Sequence, residues 1–205
     1  MSFEYLLGLF VLALGLSWTP GPNNALLASS GARFGYVRTL PHVIGVVSGF
    51  GLMMFLIGIG LSQVFEQFPI VREILRYVGA AVLLWLAWKI ATSHASTDRP
   101  RSEKPWSLLA GAAFQWVNPK AWVMAISLAG QAPLTEPDWL APLMVALVFA
   151  LAGVTSANGW ALFGAALQRF LSTPVRFRAF NLTMAGLIVL TVLGILFADL
   201  SGAPA

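Results

Sequence analysis

The sequence predicts an all-α integral membrane protein of six transmembrane helices, arranged as two inverted repeats of three helices each. The prediction rests on the high apolar content, the low charge and the spacing of the long apolar segments. Hydrophobic residues make up 58% of the 205 residues and charged residues only 10%, and the mean hydropathy is +0.80. Soluble domains carry roughly 25% charged residues, so this chain has too few charges to cover a water-facing surface.

Six apolar segments are long enough to cross the hydrocarbon core, which takes roughly 20 helical residues. Helices are expected because backbone polar groups in lipid must be hydrogen-bonded within the protein. The first segment lacks a basic start and a small-x-small cleavage site, so we expect a retained helix rather than a signal peptide. The predicted segments lie near residues 5–30, 41–63, 71–92, 107–131, 140–167 and 180–200.

The whole chain, residues 1–205, is predicted to form a single transmembrane transporter domain. Its first repeat covers residues 4–92, a polar cytoplasmic linker covers 93–106, and the second repeat covers 107–200. Three helices is an odd number, so the second repeat must be inserted upside down relative to the first. Inverted repeats with helix breaks at corresponding positions are typical of secondary transporters.

Most Lys and Arg residues lie in the linkers after helices one, three and five. The positive-inside rule then places these linkers in the cytoplasm and both termini outside it, in a multi-pass protein of the cell (inner) membrane. This placement also accounts for the net charge of +4 without a nucleic-acid partner. The basic residues concerned are Arg33, Arg38, Lys89, Arg99, Arg101, Lys104, Arg169, Arg176 and Arg178.

The first helix is predicted to be broken at Pro20, Gly21 and Pro22, which Asn23 and Asn24 follow. The prolines remove backbone donors, and Gly21 lets the chain bend. A helix that resumes near Asn23 would direct its positive dipole end and its first amides into the opening, which suits a carboxylate. We therefore predict that these five residues contribute to a substrate site. The alternative is an interfacial turn between a short helix and a re-entrant segment.

A second break, in helix four, contains Gln115, Asn118, Pro119 and Lys120. By helical rise, Lys120 lies about 20 Å into its helix and Pro20 about 22 Å into the first, from opposite faces, so the two breaks are expected to overlap near the middle of the bilayer. An ammonium group at that depth costs at least ~2.5 kcal/mol, so Lys120 should face a polar cavity and attract a substrate carboxylate. Alternatively, freed carbonyls near Pro119 satisfy the lysine, or its side chain extends outward to the membrane surface.

Other polar residues in the apolar segments give weaker signals. Asn158 in helix five and Asn181 at the start of helix six either line the substrate path or join helices by hydrogen bonds. We include both among the candidate substrate-binding residues. Gly45 and Gly49 in helix two are expected to allow close helix packing.

The sequence predicts no metal site, no cofactor and no enzymatic activity. Cysteine is absent, which excludes disulfides and thiolate ligands. His42 lies near a predicted helix end and His94 in a linker, so neither is expected to bind a metal. Asp and Glu are absent from the predicted membrane interiors, and no nucleophile elbow, phosphate loop or HExxH pattern occurs.

The same residues resemble the lysine exporter (LysE/RhtB) family. Segments 85–93 and 158–162 are most similar to its cysteine/O-acetylserine efflux branch. Many members carry an acidic residue after the second glycine of helix two, where this chain has Phe50, so the expected proton-coupling site lacks an obvious carboxylate. The residues that carry the resemblance are Pro20, Gly21, Pro22, Asn23, Gly31, Gly35, Gly45, Gly49, Asn118, Pro119, Lys120 and Gly186.

The resemblance implies secondary active export of a small amino acid or derivative, driven by the proton-motive force. Alternating access would come from one half of the protein rocking against the other. The implied partners are the amino-acid substrate, protons and membrane lipid, and the sequence leaves a homo-oligomer open. The alternatives are a channel-like or structural membrane protein and, with least support, a membrane-embedded enzyme.

Overall fold

The computed structural model describes residues 2–61, 67–93, 104–129, 139–168 and 170–197, and within these ranges the protein is helical. A π-helical turn covers Ile57–Leu61, and short 3-10 turns cover Gln115–Val117 and Phe170–Ser172. The helices are α1 (Phe3–Trp18), α2 (Pro22–Phe34), α3 (Tyr36–Leu56), α4 (Pro69–Ala91), α5 (Leu108–Phe114), α6 (Pro119–Ala129), α7 (Leu140–Leu167) and α8 (Pro174–Phe197).

Four of these helices, α3, α4, α7 and α8, are long and apolar enough to cross a membrane. Helices α1 and α2 pass the same test together as a pair bent by 61°, which gives up to five spans. The prediction of an all-helical membrane protein is therefore confirmed, whereas six spans and two inverted repeats stay predictions. Most of the polar linker and the end of the chain after residue 197 lie outside the described residues.

Two helices begin earlier than the apolar pattern predicts. Helix α3 begins at Tyr36 rather than near residue 41, directly after a turn at Gly35, whose φ of +82° favours glycine. Helix α8 begins at Pro174 rather than near residue 180, and the Arg176 amide donates to Thr173 Oγ1 at 3.4 Å. Both helices therefore extend beyond their apolar segments into polar sequence, which hydropathy alone does not assign to a span.

Glycines bring α3 and α5 into close contact, as predicted for Gly45 and Gly49. A Cβ on Gly45 would overlap the Leu108 carbonyl, and a Cβ on Gly49 would lie 2.5 Å from Ala112 Cα. Small residues at a crossing let two helix backbones approach. The contact fixes the start of the second half of the chain against helix α3.

A reciprocal pair of glycines joins α2 to α7. A Cβ on Gly31 would overlap the Ala161 carbonyl oxygen, and a Cβ on Gly164 would overlap the Ala28 carbonyl oxygen. Each helix thus supplies the glycine that receives the other helix's backbone. We refer to this crossing as the α2–α7 contact.

Several basic residues of the described part of the chain lie at one end of the helical bundle, which we call the basic end. Arg33 and Lys89 line a common cavity there with Phe177, which lies between Arg176 and Arg178 in the sequence. The clustering on which the orientation depends is therefore present in the fold. Which side of the membrane the basic end faces stays a prediction.

Candidate functional site at the two helix breaks

The first predicted break is present between Trp18, the last residue of α1, and Pro22, the first residue of α2. Gly21 is fully extended, with φ −170° and ψ −177°, and provides no side-chain cap for α2. Proline suits the first helical position because its missing N–H would have no partner there in any case. The N-terminal amides of α2 therefore begin at the break without a capping side chain.

Side chains from three different helices satisfy the carbonyl groups that the first break frees. The side-chain amide nitrogen of Asn24 donates to both Ser17 O and Thr19 O at 3.0 Å. Ser156 Oγ of α7 donates to Ser17 O at 2.7 Å, and Lys120 Nζ of α6 donates to Thr19 O at 2.6 Å. The break is thus held open by specific hydrogen bonds as well as by its prolines.

The second predicted break separates α5 from α6. After the 3-10 turn, Asn118 leaves the helical conformation with φ −91° and ψ 104°, and α6 begins at Pro119. Asn118 Oδ1 accepts from the Lys120 backbone amide at 3.2 Å, and the Asn118 side chain is buried. Asn118 therefore caps the resumed helix in the manner of an N-cap residue.

The two breaks are joined by an amide pair. Asn23 Nδ2 donates to Gln115 Oε1 at 2.9 Å, and Gln115 Nε2 donates back to Asn23 Oδ1 at 3.2 Å. Gln115 is fully buried and also donates to the Gly111 carbonyl at 2.9 Å. The overlap of the two breaks that was expected from helix lengths is therefore a direct contact.

Lys120 is half-buried and lies across the first break. Its ammonium group donates to a carbonyl freed by a helix break, as the predicted alternative for this lysine requires. The carbonyl is Thr19 O of the first break, however, and not one near Pro119. Gly21 makes room for this side chain, because a Cβ there would lie 2.9 Å from Lys120 Cδ. The ammonium group is thus positioned beside the start of α2.

A cavity of about 60 Å³ lies between the two breaks. Phe50, at the position where the family pattern has an acid, and Phe149 form part of its apolar wall, with ring centroids 6.2 Å apart. Within the described lining, Lys120 is the one ionisable group. The polar part of the lining comprises Ser17, Gly21, Asn23, Asn24, Asn118, Lys120 and Ser156.

The remaining predicted residues divide into two groups. Pro20, Pro22 and Pro119 shape the two breaks, and Gln115 lies directly behind the cavity through its bonds to Asn23. Asn158 and Asn181 lie away from the cavity. The sequence pattern could not separate these groups, because helix α7, which carries Asn158, has no distinct polar face that would show which way the asparagine points.

Asn158 and Asn181 make the contacts expected of the helix-joining alternative. Tyr36 OH of α3 donates to Asn158 Oδ1 at 2.6 Å. Asn181 Nδ2 of α8 donates to Ser93 Oγ at 2.8 Å, just beyond the end of α4. Asn158 lines a groove between α3 and α7, and Asn181 lines a cavity at the basic end.

Sequence reasoning missed the polar residues that α1 and α7 bring to the site. Trp18 Nε1 donates to Thr155 Oγ1 at 3.1 Å, next to the bond between Ser156 and Ser17. The adjacent Thr155 and Ser156 interrupt an otherwise apolar segment, which is the signal that could have identified them. No group of three or more His, Asp or Glu residues that could hold a metal occurs in the described part of the chain.

A bent helix pair whose break meets a second helix break at a polar cavity, inside an apolar helical bundle, is typical of membrane transporters. Comparison with known families agrees. The LysE type translocator model matches residues 14–200, so the chain belongs to the LysE family. The family resemblance carried by the two break motifs is thereby confirmed.

Named relatives extend this comparison. The chain is 35% identical over 155 residues to the cysteine/O-acetylserine efflux protein of Salmonella paratyphi A, which covers 74% of this chain and 77% of the relative. It is 35% identical over 177 residues to the protein of that name from Klebsiella pneumoniae, covering 83% and 86%. The Escherichia coli K12 protein is 34% identical over 173 residues, covering 83% and 87%. No solved structure matches the chain.

Proposed function

We propose that this protein exports a small amino acid or a derivative, with cysteine and O-acetylserine as the first candidates, by secondary active transport. The names of the relatives support the substrate class. The observation that carries the proposal is the position of Lys120, whose ammonium group meets the start of α2 inside a cavity between two helix breaks.

Two positive groups, the start of α2 and the Lys120 ammonium group, face the proposed carboxylate site. Helix α2 contributes its positive dipole end and its uncapped amides, which favour an anion. Lys120 contributes a full positive charge, and a carboxylate would replace Thr19 O as its partner. Asn23 and Asn118 would then contact the polar groups of the substrate, while Phe50 and Phe149 enclose its side chain.

Transport requires this cavity to change size. Ligand pockets usually measure about 300–1,000 Å³, whereas about 60 Å³ holds only a few water molecules. We therefore infer that the cavity widens toward one face of the membrane and then toward the other. The helices α1 and α6, on the far side of each break, take no part in the two backbone crossings at glycine, which join α3 to α5 and α2 to α7.

The close contacts bear on how this motion occurs. The α2–α7 contact and the contact between α3 and α5 each join a helix of the first half to a helix of the second half. A rocking of intact halves would have to open both contacts. We therefore propose that α1 and α6 move against a frame formed by α2, α3, α5 and α7. This motion replaces the rocking of one intact half against the other.

The packing pattern supports the proposed inverted repeats. In the first half, α1 and α2 form the broken helix, followed by α3; in the second, α5 and α6 form it, followed by α7. The broken helix of each half packs against the second helix of the other half, and the third helices, α4 and α8, pack against each other. Exchanging the two halves leaves this set of contacts unchanged, as a pseudo-twofold axis requires.

The basic end and Lys120 bear on the orientation and on the driving force of transport. If the basic end faces the cytoplasm, the substrate enters from that end and leaves at the end that carries Ser2. A proton exchanged against substrate in the cavity would be carried by Lys120, which is the ionisable group of the described lining. Export driven by the proton-motive force then depends on that amine.

A liposome experiment tests the proposal. Purified protein is reconstituted, and the uptake of a panel of labelled amino acids, including cysteine and O-acetylserine, is measured with and without a pH gradient. Saturable counterflow that responds to the gradient supports a proton-coupled carrier. Non-saturable flux without counterflow would indicate a channel, and the absence of flux for the whole panel would contradict the substrate class.

A further inference from the structure

A second cavity, of about 130 Å³, lies at the basic end between α2, α3, α4 and α8. It shares no lining residue with the cavity at the helix breaks. Its wall is unusually polar for a space inside an apolar bundle. The polar side chains include Ser29, Ser30, Arg33, His42, Lys89 and Asn181.

The charge of this basic-end cavity is positive. Arg33 of α2 and Lys89 of α4 both line it, and its described lining contains no Asp or Glu. Lys89 Nζ also lies 4.4 Å from the centroid of the Trp85 ring, a cation–π contact that adds no negative charge to the lining. Two cations around one cavity attract an anion and offer it charge-assisted hydrogen bonds.

Two buried polar groups at this cavity lack hydrogen-bond partners. His42 is 0% exposed, and neither its Nδ1 nor its Nε2 is hydrogen-bonded. Ser29 Oγ is buried without a partner as well. Buried polar groups are nearly always hydrogen-bonded, so these two groups are available to bind a polar molecule or an anion in the cavity. A neutral imidazole and a hydroxyl can both donate to a carboxylate oxygen.

The basic-end cavity lies close to the cavity at the helix breaks. Leu26 lines the basic-end cavity, and its neighbour Leu27 lines the break cavity. On α3, His42 and Val46 line the two cavities one helical turn apart, which corresponds to about 6 Å along the axis. A ligand could therefore pass from one cavity to the other with a short displacement past Leu26 and Leu27.

We propose that the basic-end cavity is a first binding site for the carboxylate of the exported amino acid, occupied before the substrate reaches Lys120. Arg33 and Lys89 attract the carboxylate, and His42 and Ser29 donate to it. The inference rests on the proposed function, because it requires an amino acid as cargo and a basic end that faces the cytoplasm.

The test separates the two sites by removing one of them. Binding of radiolabelled O-acetyl-L-serine is measured for the full chain in neutral-lipid nanodiscs, as wild type and as Lys120→Met. The first site predicts weak, saturable binding that remains in Lys120→Met. Adding Arg33→Gln and Lys89→Gln to this variant should weaken the residual binding about tenfold or more.

Two further variants guard against a misfolded protein. Arg38→Gln in the Lys120→Met background removes a basic-end charge that does not line the cavity, and it should keep the residual binding. His42→Phe keeps an aromatic ring opposite Trp106, 5.1 Å away in the native protein, but removes both ring nitrogens. It should weaken the residual binding while the thermal stability holds or rises, because an unpartnered polar group is lost.

Each outcome has a distinct meaning. If the wild type binds and Lys120→Met does not, the first site is refuted while the proposed function stands. If the wild type binds neither O-acetylserine nor any other amino acid of the transport panel, the proposed function itself fails. If residual binding disappears when the nanodiscs contain anionic phosphatidylglycerol, a lipid headgroup occupies the cavity and the substrate is not its natural occupant.

Discussion

Lys120 of α6 lies in contact with Gly21 of the first break, although the two residues belong to opposite halves of the chain. A Cβ built on Gly21 would come within 2.9 Å of Lys120 Cδ and 3.2 Å of Nζ. The extended backbone of Gly21 is open to any residue, since φ is −170°. Glycine is therefore required at position 21 for lack of space, because any larger side chain would collide with Lys120.

We expect Gly21→Ala to fold normally but to displace the ammonium group of Lys120 from Thr19 O. A loss of only about 1.4 kcal/mol in substrate binding free energy weakens binding tenfold. Moving the ammonium group away from Thr19 O should therefore reduce liposome transport by about tenfold or more. Gly15→Ala in α1 is the matched control, because a Cβ there meets nothing within 4 Å. Equal transport by both variants would show that the position of Lys120 is not critical.

Replacing Lys120 itself tests the charge. Lys120→Met should insert and fold, since Asn24 still donates to Thr19 O, yet it should transport nothing measurable. Lys120→Arg should retain partial activity, because the wide guanidinium fork fits poorly in a space shaped for an ammonium group. Transport by Lys120→Met at the wild-type rate would reduce the lysine to a structural role.

The prolines and Asn24 can be separated as causes of the first break. Pro20→Ala combined with Pro22→Ala should favour a continuous helix, since each proline costs roughly 3 kcal/mol in a helix interior, and transport should be lost.

Asn24→Asp keeps the size of the side chain but replaces the amide donor to Ser17 O and Thr19 O. It should lower the stability by about 1–3 kcal/mol, measured as thermal unfolding in detergent.

If the double proline variant still transports, the break is maintained by Asn24, Ser156 and Lys120 alone. If Asn24→Asp unfolds no earlier than the wild type, its two hydrogen bonds contribute little and the prolines suffice.

The amide pair between Asn23 and Gln115 should show thermodynamic coupling. Asn23→Ala and Gln115→Ala each break both bonds of the pair, so the double variant should be destabilised less than the sum of the two. We expect a coupling energy of roughly 0.5–2 kcal/mol, in the range for hydrogen-bonded neighbours and for polar contacts within membranes. Additive effects in a double-mutant cycle on unfolding would indicate that the two breaks are held together by other contacts.

The orientation can be tested with single cysteines, because the natural chain has none. Thr173→Cys at the basic end should be protected from an impermeant thiol reagent in intact cells, whereas Ser2→Cys and Trp139→Cys at the opposite end should be labelled. Labelling after permeabilisation serves as the control for reactivity. The reverse labelling pattern would place the basic end outside the cytoplasm and would contradict the proposed direction of substrate entry.

Local chemistry explains which parts of the site the sequence predicted. The two breaks follow from Pro20, Pro22 and Pro119, whose effect on a helix depends only on the residue itself and its neighbours. The long apolar segments similarly predict helices, although polar extensions such as the start of α8 at Pro174 carry no hydropathy signal.

The partners of the site could not be predicted, because they are distant in sequence. Nothing local relates Ser156 to Ser17 or Lys120 to the carbonyl of Thr19, more than one hundred residues away. His42 was assigned to a helix end, yet it is completely buried because Gly111 and Trp106 pack against it. Burial of this kind is set by tertiary packing and not by the pattern around the residue.

The α2–α7 contact also has a consequence for permeability. A carrier in an energised membrane has to keep small ions from leaking past its cargo site, and a continuous file of water is the usual route for such a leak. Gly31 and Gly164 bring the two backbones together so closely that not even a methyl group fits between them. One flank of the helix that bears Asn23 and Asn24 is therefore closed by bare backbone, which would insulate the proposed cargo site without any moving gate.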